Sequence, residues 1–348
     1  MVFLIDILHP AHVHFFRCLR AALIRKGHRV IVTAREKEMS IRLLDAYAIE
    51  HTMISRQRRG AGLIWEMIYR TARLLRICIK ERPALLMGIM GPSIAVTGFL
   101  LRIKAWVFYD TENAWITNWF AYPLAARIYS PECYQSKRRR NQLLYAGYHE
   151  LAYLHPARFT PDKTIPARYG IEADKPYYII RFVGWLASHD LGEKGLTVTQ
   201  KREIVTRLES HGTVYISSEA PLPPDLDKKA LKCPIEMVHH IMAFACMVVG
   251  ESATMASEAA VMGVPAFFIS DTGRGYTTEE EQRYGLVRNF TTRQLDNAIA
   301  AIEAMSAHQK LASDMRAARQ KLLTDKIDVT GHILSEIQKE FPGSSCAE

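Results

Sequence analysis

The sequence predicts an α/β protein made of two Rossmann-like units in tandem. Three observations carry this. Apolar strand-like runs alternate with helical spacing through the first third of the 348 residues. A stretch at 159–175, with Pro161, Pro166 and Gly170, breaks that alternation, which then restarts. The length itself suggests about two domains.

The elements follow in order. Val2–Leu8 is an apolar strand with one Asp, and Phe15–Lys26 has helical spacing that stops at Gly27. Arg29–Thr33 and Glu50–Ile54 read as strands around a short helix at Ile41–Tyr47. Leu63–Lys80 is helical, Ala84–Met87 a strand, Ser93–Leu101 a helix and Trp106–Tyr109 a strand. Continuous apolar strands separated by helices mean a parallel sheet with crossovers. After the break come strands at Tyr177–Val183, Thr213–Ser217, Met247–Gly250 and Ala266–Ile269, with helices at Val198–Ser210 and Thr254–Met262. Thr292–Glu340 is mostly helical. The expected domains are 1–158 and 176–330, joined by the linker 159–175, with a last helix in 331–348. Ligand crevices in open α/β units lie at the carboxyl ends of the strands.

Composition narrows the class. Apolar residues make up 49% and charged residues 23%, which excludes disorder, collagen and coiled coil as the main architecture. The net charge of +9 is uneven. Residues 1–155 hold 23 Lys and Arg against 11 Asp and Glu, and the remainder is slightly acidic. The first half therefore faces something anionic: nucleic acid, a phosphorylated substrate or a membrane surface. Six scattered cysteines without a C-x-x-C pair, and a start without a basic n-region, read as free thiols in a reducing cytoplasm. Ala84–Leu101 lacks charge, but its glycines and Pro92 suit strand, turn and helix better than a membrane span.

The most informative motif is Val248–Ser270, VVGESATMASEAAVMGVPAFFIS. A strand runs through Gly250 into a helix of small residues, then Gly263-Val264-Pro265 leads to the next strand. Free amides at a helix start and the helix dipole favour an anion. Ser252, Ala253, Thr254 and Met255 are candidates to hold a diphosphate, and Glu258, a turn further on, to accept hydrogen bonds from a ribose diol. The plain alternative is a Ser-capped helix with a surface Glu.

This run resembles the donor-binding helix of GT-B-fold glycosyltransferases. It looks like the same segment in the lipid-linked N-acetylglucosaminyltransferase of peptidoglycan synthesis, and like the E-A-x-x-x-G-x-P run of UDP-N-acetylglucosamine 2-epimerase. From the first strand to about Phe290, the chain is similar to a bacterial and archaeal family of unknown function in this superfamily. DILHPAHVHFFR, GHRVIVTAREKE and GESATMASEAAVMGVPAF carry that similarity. The resemblance implies a GT-B-like fold, two Rossmann-like domains facing across a cleft, whose last helix crosses back to the first domain. It implies that Glu258 binds ribose and that residues 252–255 hold the diphosphate.

The first strand-to-helix turn, ILHPAHVHFFR, lacks the G-x-G-x-x-G of a dinucleotide site and carries His9, His12 and His14 instead. A neutral imidazole at a helix start suits a general base, and the resemblance points to His12. Packing histidines and a zinc site are the alternatives, the latter without an evident further ligand cluster. Arg181 and Lys194, in RFVGWLASHDLGEKG, loosely match an Arg and an E-K-G Lys that touch the diphosphate in retaining transferases. Trp185, His189 and Asp190 depart from that pattern. Asp110 and Glu112, in YDTENAW, are catalytic candidates because a carboxylate after the corresponding epimerase strand takes part in catalysis. Arg274 follows another strand and is a further substrate contact.

Two basic features are candidates for an acceptor or membrane surface: Arg70 and Arg73 in the stripe along Leu63–Lys80, and the run Lys137, Arg138, Arg139, Arg140. A helix packed on a sheet and a solvated charge run are the alternatives.

The expected function is transfer of a sugar from a nucleotide sugar, UDP-linked, to a glycan or lipid-linked acceptor at the cytoplasmic membrane face. A nucleotide-sugar epimerase is the alternative. Neither needs a resident cofactor, and the cations and helix start already neutralise charge on the leaving nucleotide, so no metal is strictly required. No recognition motif supports a nucleic-acid binder.

Overall fold

The computed structural model describes residues 1–57, 62–111, 115–184 and 195–342. The chain divides into two compact units, Met1–Arg158 with Lys326–Glu348, and Phe159–Asp325.

The first unit alternates β1 (Val2–Ile7), α1 (Pro10–Arg25), β2 (Arg29–Glu36), α2 (Glu38–Ala46), β3 (Thr52–Arg56), α3 (Gly62–Glu81), β4 (Leu85–Ile89), α4 (Pro92–Leu101), β5 (Lys104–Phe108), α5 (Trp115–Leu124), β6 (Arg127–Pro131) and β7 (Gln142–Tyr145). The seven strands form one parallel sheet in the order β3-β2-β1-β4-β5-β6-β7. Every residue of β4 is buried, as a strand covered on both faces requires. The segment 84–101 is thus a strand, a turn and a helix. Among the described residues no helix is long and apolar enough to cross a membrane. The sequence reading did not anticipate β6 and β7. Pro131 closes β6, and β7 is a four-residue edge strand with Leu143 and Leu144 partly exposed, so neither shows a long apolar run.

The second unit contains α6 (Ile165–Arg168), β8 (Tyr177–Phe182), α7 (Val198–Glu209), β9 (Thr213–Ser218), α8 (Pro224–Asp227), α9 (Val238–Met242), β10 (Met247–Gly250), α10 (Ala253–Met262), β11 (Ala266–Ile269), α11 (Gly275–Glu279), β12 (Val287–Phe290), α12 (Leu295–Ser306) and α13 (Leu311–Asp325). Its five parallel strands run β12-β11-β10-β8-β9. The stretch read as a linker belongs to this unit and carries α6.

The chain then returns to the first unit as α14 (Val329–Glu340). Arg158 grips Asp328 with two nitrogens at 2.5–3.1 Å, and Thr330 Oγ1 donates to the Ala152 carbonyl at 2.7 Å. Val329, Ile333 and Ile337 are buried, so α14 contributes an apolar face to the unit that the first strands began.

Candidate active site

In the first unit the strand order reverses between β1 and β4, which opens a crevice at their carboxyl ends. The loops there bring four side chains together, His9, His12, Asp110 and His149. His9 caps α1, its Nδ1 accepting the Ala11 amide at 3.3 Å, and Pro10 occupies the first helical turn. One turn on, His12 is 4% exposed and its Nδ1 accepts the Leu8 amide at 3.2 Å. With Nδ1 so used, the neutral ring carries its proton on Nε2. Burial, followed by the nearby His9, drives its pKa well below the usual 6.5, and Asp110 only partly opposes this. His12 is therefore neutral near pH 7, as a base must be. Its free nitrogen, however, is a donor. The base role expected of it requires a lone pair that this hydrogen bond occupies.

Asp110 lies just beyond β5, and its Oδ2 meets His149 Nδ1 at 3.0 Å. Its Oδ1 accepts the Thr111 hydroxyl at 3.0 Å. Burial alone would raise the Asp110 carboxyl; the facing His149 and the Thr111 hydroxyl reverse this and hold it at about 2. Asp110 is thus a carboxylate that fixes the proton of His149 on Nδ1. His149 sits on a short 3-10 turn, His149–Ala152, packed on the Phe15 ring at 4.6 Å. It is 6% exposed, and its Nε2 is buried without a hydrogen-bond partner. A carboxylate-held imidazole with an unused Nε2 lone pair is the arrangement of a general base. Sequence reading missed His149, because nothing in AGYHELAYLH marks it and its partners come from distant loops. Glu112 lies outside the described residues. His14 stacks instead on Tyr153 at 5.3 Å. Among the described residues no three His, Cys, Asp or Glu side chains converge on a metal position.

In the second unit the order reverses between β8 and β10. Gly250 ends β10 at φ +153°, and a Cβ there would stand 2.1 Å from the Arg181 carbonyl oxygen, so only glycine fits. Glu251, 3% exposed, accepts the Val183 amide at 3.1 Å and the Leu196 amide at 2.6 Å, and Lys201 approaches at 3.4 Å. It thereby ties both ends of the segment carrying Lys194, which itself lies outside the described residues. Ser252 caps α10 by accepting the Met255 amide at 3.3 Å. Ser252, Ala253 and Thr254 are partly exposed, whereas Met255 and Glu258 are buried. Glu258 Oε1 faces His239 Nε2 at 2.8 Å, a contact the sequence did not suggest. It is not the surface Glu of the plain reading. Arg181 is held by Ser217 at 2.8 Å and by Glu219. Arg274 precedes α11 and bonds the Gly273 carbonyl at 2.9 Å.

The basic candidates divide. Arg70 is a correction: it is 2% exposed, bonding Asp6 at 2.5 Å and Ser55 at 2.7 Å inside the first unit. It meets no acceptor or membrane. Arg73 is half-buried over the Tyr69 ring. Lys137, Arg138, Arg139 and Arg140 are exposed. Two surface cavities, of about 460 and 590 Å³, lie elsewhere, beside β3 and β9.

Several solved structures share the fold. UDP-GlcNAc 2-epimerase from Neisseria meningitidis, bound to UDP-GlcNAc, aligns at TM-score 0.70 and 12% identity over 97% of this chain and 100% of that one. The glycosyltransferase SsfS6 from Streptomyces sp. SF2575, complexed with thymidine diphosphate, aligns at TM-score 0.63 and 13% identity over 96% and 99%. MurG from Acinetobacter baumannii aligns at TM-score 0.61 and 17% identity over 97% and 100%. The fold is thus the GT-B-like fold that epimerases and glycosyltransferases share. No functionally curated protein matches the sequence. One family model does, that of a protein of unknown function, DUF354, over residues 1–189.

Proposed function

The chain belongs to the DUF354 family, and on that premise we propose that it is a nucleotide-sugar-dependent glycosyltransferase. The observation that carries this reading is the Asp110–His149 pair, a buried base at the crevice of the first unit. His149 takes the proton of an acceptor hydroxyl through Nε2 as that oxygen attacks the anomeric carbon of the donor sugar. Asp110 orients the ring and stabilises the imidazolium that forms. His12 donates from Nε2 to a sugar or acceptor oxygen and does not act as the base. The leaving diphosphate is received at the start of α10 by the amides and hydroxyls of 252–254, where the helix dipole favours an anion. Glu258, oriented by His239, takes the ribose, and Arg274 and Lys194 complete the charge neutralisation. The nucleotide is UDP, and the acceptor is a glycan or lipid-linked glycan at the cytoplasmic face of a membrane, matching the basic first half.

A second reading is a nucleotide-sugar epimerase. It is favoured by one feature, a base at His149 beside a donor at His12, since epimerisation removes one proton and returns another. Incubation with UDP-N-acetylglucosamine alone separates the two: an epimer formed without acceptor selects the epimerase. A thermal-shift screen with UDP, GDP and CMP tests both, because a ligand of the native state raises its melting temperature. No shift with any nucleotide sinks both.

A further inference from the structure

The helical layer of the first unit is built with one helix turned over. On one face of the seven-stranded sheet, Leu74 and Cys78 of α3, Ile94 and Ala95 of α4, Ala121 of α5 and Ala125 just after it share a single buried cluster. The first half of α3 points its charges inward, however. Glu66 accepts from Arg35 at 2.6 Å and Ser55 at 3.1 Å, and Arg70 reaches Asp6 within β1. The apolar side is left outside: Ile64, Trp65, Ile68 and Tyr69 are 51–68% exposed. The same layer exposes Ile79 at 63%, Phe99 at 62%, Leu100 at 57% and Trp119 at 84%. A solvated helix has the opposite polarity, and an apolar area of this extent on one layer marks a contact surface.

The charges around this face say what covers it. The helices α3, α4 and α5 each cross from the carboxyl end of one strand to the amino end of the next parallel strand, so they run the same way. Their carboxyl ends therefore lie on the same side of the sheet, where Arg76 and Lys80 flank the exposed Ile79 in sequence and Arg102 follows the exposed Phe99 and Leu100. The exposed run 137–140 adjoins the end of α5, since Asn141 bonds the Tyr122 and Ala125 carbonyls and Arg139 lies over the Tyr122 ring. Among the described residues of the three helices, the acidic ones are Glu66, which is buried, and Glu81, which pairs with Arg29. We infer that this face seats on an anionic lipid surface, with Trp, Tyr, Phe and aliphatic side chains in the headgroup boundary and the cations on the phosphates. A second copy is disfavoured, because these helices offer the cations of a facing copy no unpaired acidic side chain among their described residues. The inference rests on the membrane placement proposed above, for which it names the contact surface, and needs no part of the transfer chemistry.

The test is cosedimentation of the full chain with vesicles of phosphatidylcholine alone and of phosphatidylcholine with phosphatidylglycerol, without substrate. The expected result is partitioning roughly tenfold stronger on the anionic vesicles. It should fall about tenfold in Phe99→Ser with Leu100→Ser, and separately in Arg76→Glu with Lys80→Glu and Arg102→Glu. All five side chains are exposed, so unchanged melting temperatures are expected; Trp65→Ser with Tyr69→Ser is the replacement if the first pair unfolds. No binding to anionic vesicles, or variants that bind as the parent does, overturns the inference. So does a dimer in sedimentation that Phe99→Ser with Leu100→Ser dissolves, or binding of RNA in place of vesicles.

Discussion

His12 and His149 are each fixed by one bond at Nδ1, yet with opposite sense. A backbone donor leaves His12 with a proton on Nε2, while a carboxylate acceptor leaves His149 with a lone pair there. Replacing His149 by Ala should lower turnover by about 10²–10⁴-fold while nucleotide-induced thermal shifts persist. Asp110→Asn should do the same by presenting the wrong tautomer. Parental turnover in either variant would remove the base assignment. His12 also makes stability depend on pH. Its native pKa is depressed, so below about 6.5 the unfolded chain binds a proton that the native chain refuses. Stability from this source is complete above that pH and declines as the pH falls. Asp110 adds a second loss only as the pH drops below 3.8 toward about 2. His12→Gln, which keeps an acceptor for the Leu8 amide, should flatten the fall in melting temperature between about pH 7 and 5; a slope equal to the parent's would contradict it.

At the scale of elements, α3 explains both what could be read from sequence and what could not. Its helical spacing was legible, as were the strands at Val2–Leu8 and Met247–Gly250, because continuous apolar runs need no partner to be seen. Which side of α3 faces the sheet was not legible. The usual rule buries the apolar stripe, and here Asp6 near the carboxyl end of β1 takes Arg70 inward with it. Arg70→Met should strand that carboxylate and cost about 3–5 kcal/mol in urea unfolding, and adding Asp6→Leu should recover most of it. An undiminished loss in the double variant would mean the pair acts through something other than charge. His149 was illegible for a related reason: its partner Asp110 is 39 residues away in sequence. The turn after β10 was visible as a glycine between a strand and a helix, but the contact that demands glycine, the Arg181 carbonyl, belongs to another strand. Gly250→Ala should therefore lower the melting temperature and abolish any nucleotide-induced shift, since the start of α10 must move.

The whole molecule carries its basic excess in the first half and its diphosphate-binding candidates in the second. It also closes its first unit with its last helix. Ending the chain before Lys326 removes α14 and the Arg158–Asp328 grip. In calorimetry this should lower or remove one transition, that of the first unit, and leave a second near its original temperature; a uniform downward shift of all melting would argue against separable units. The same feature sets a schedule for synthesis. At ordinary ribosomal rates, the roughly 170 residues between Arg158 and Lys326 take on the order of ten to thirty seconds to make. For that interval the first-made unit waits with the seat of α14 bare, and by its end the later-made unit has all its strands. The unit that emerges first is the one that is completed last.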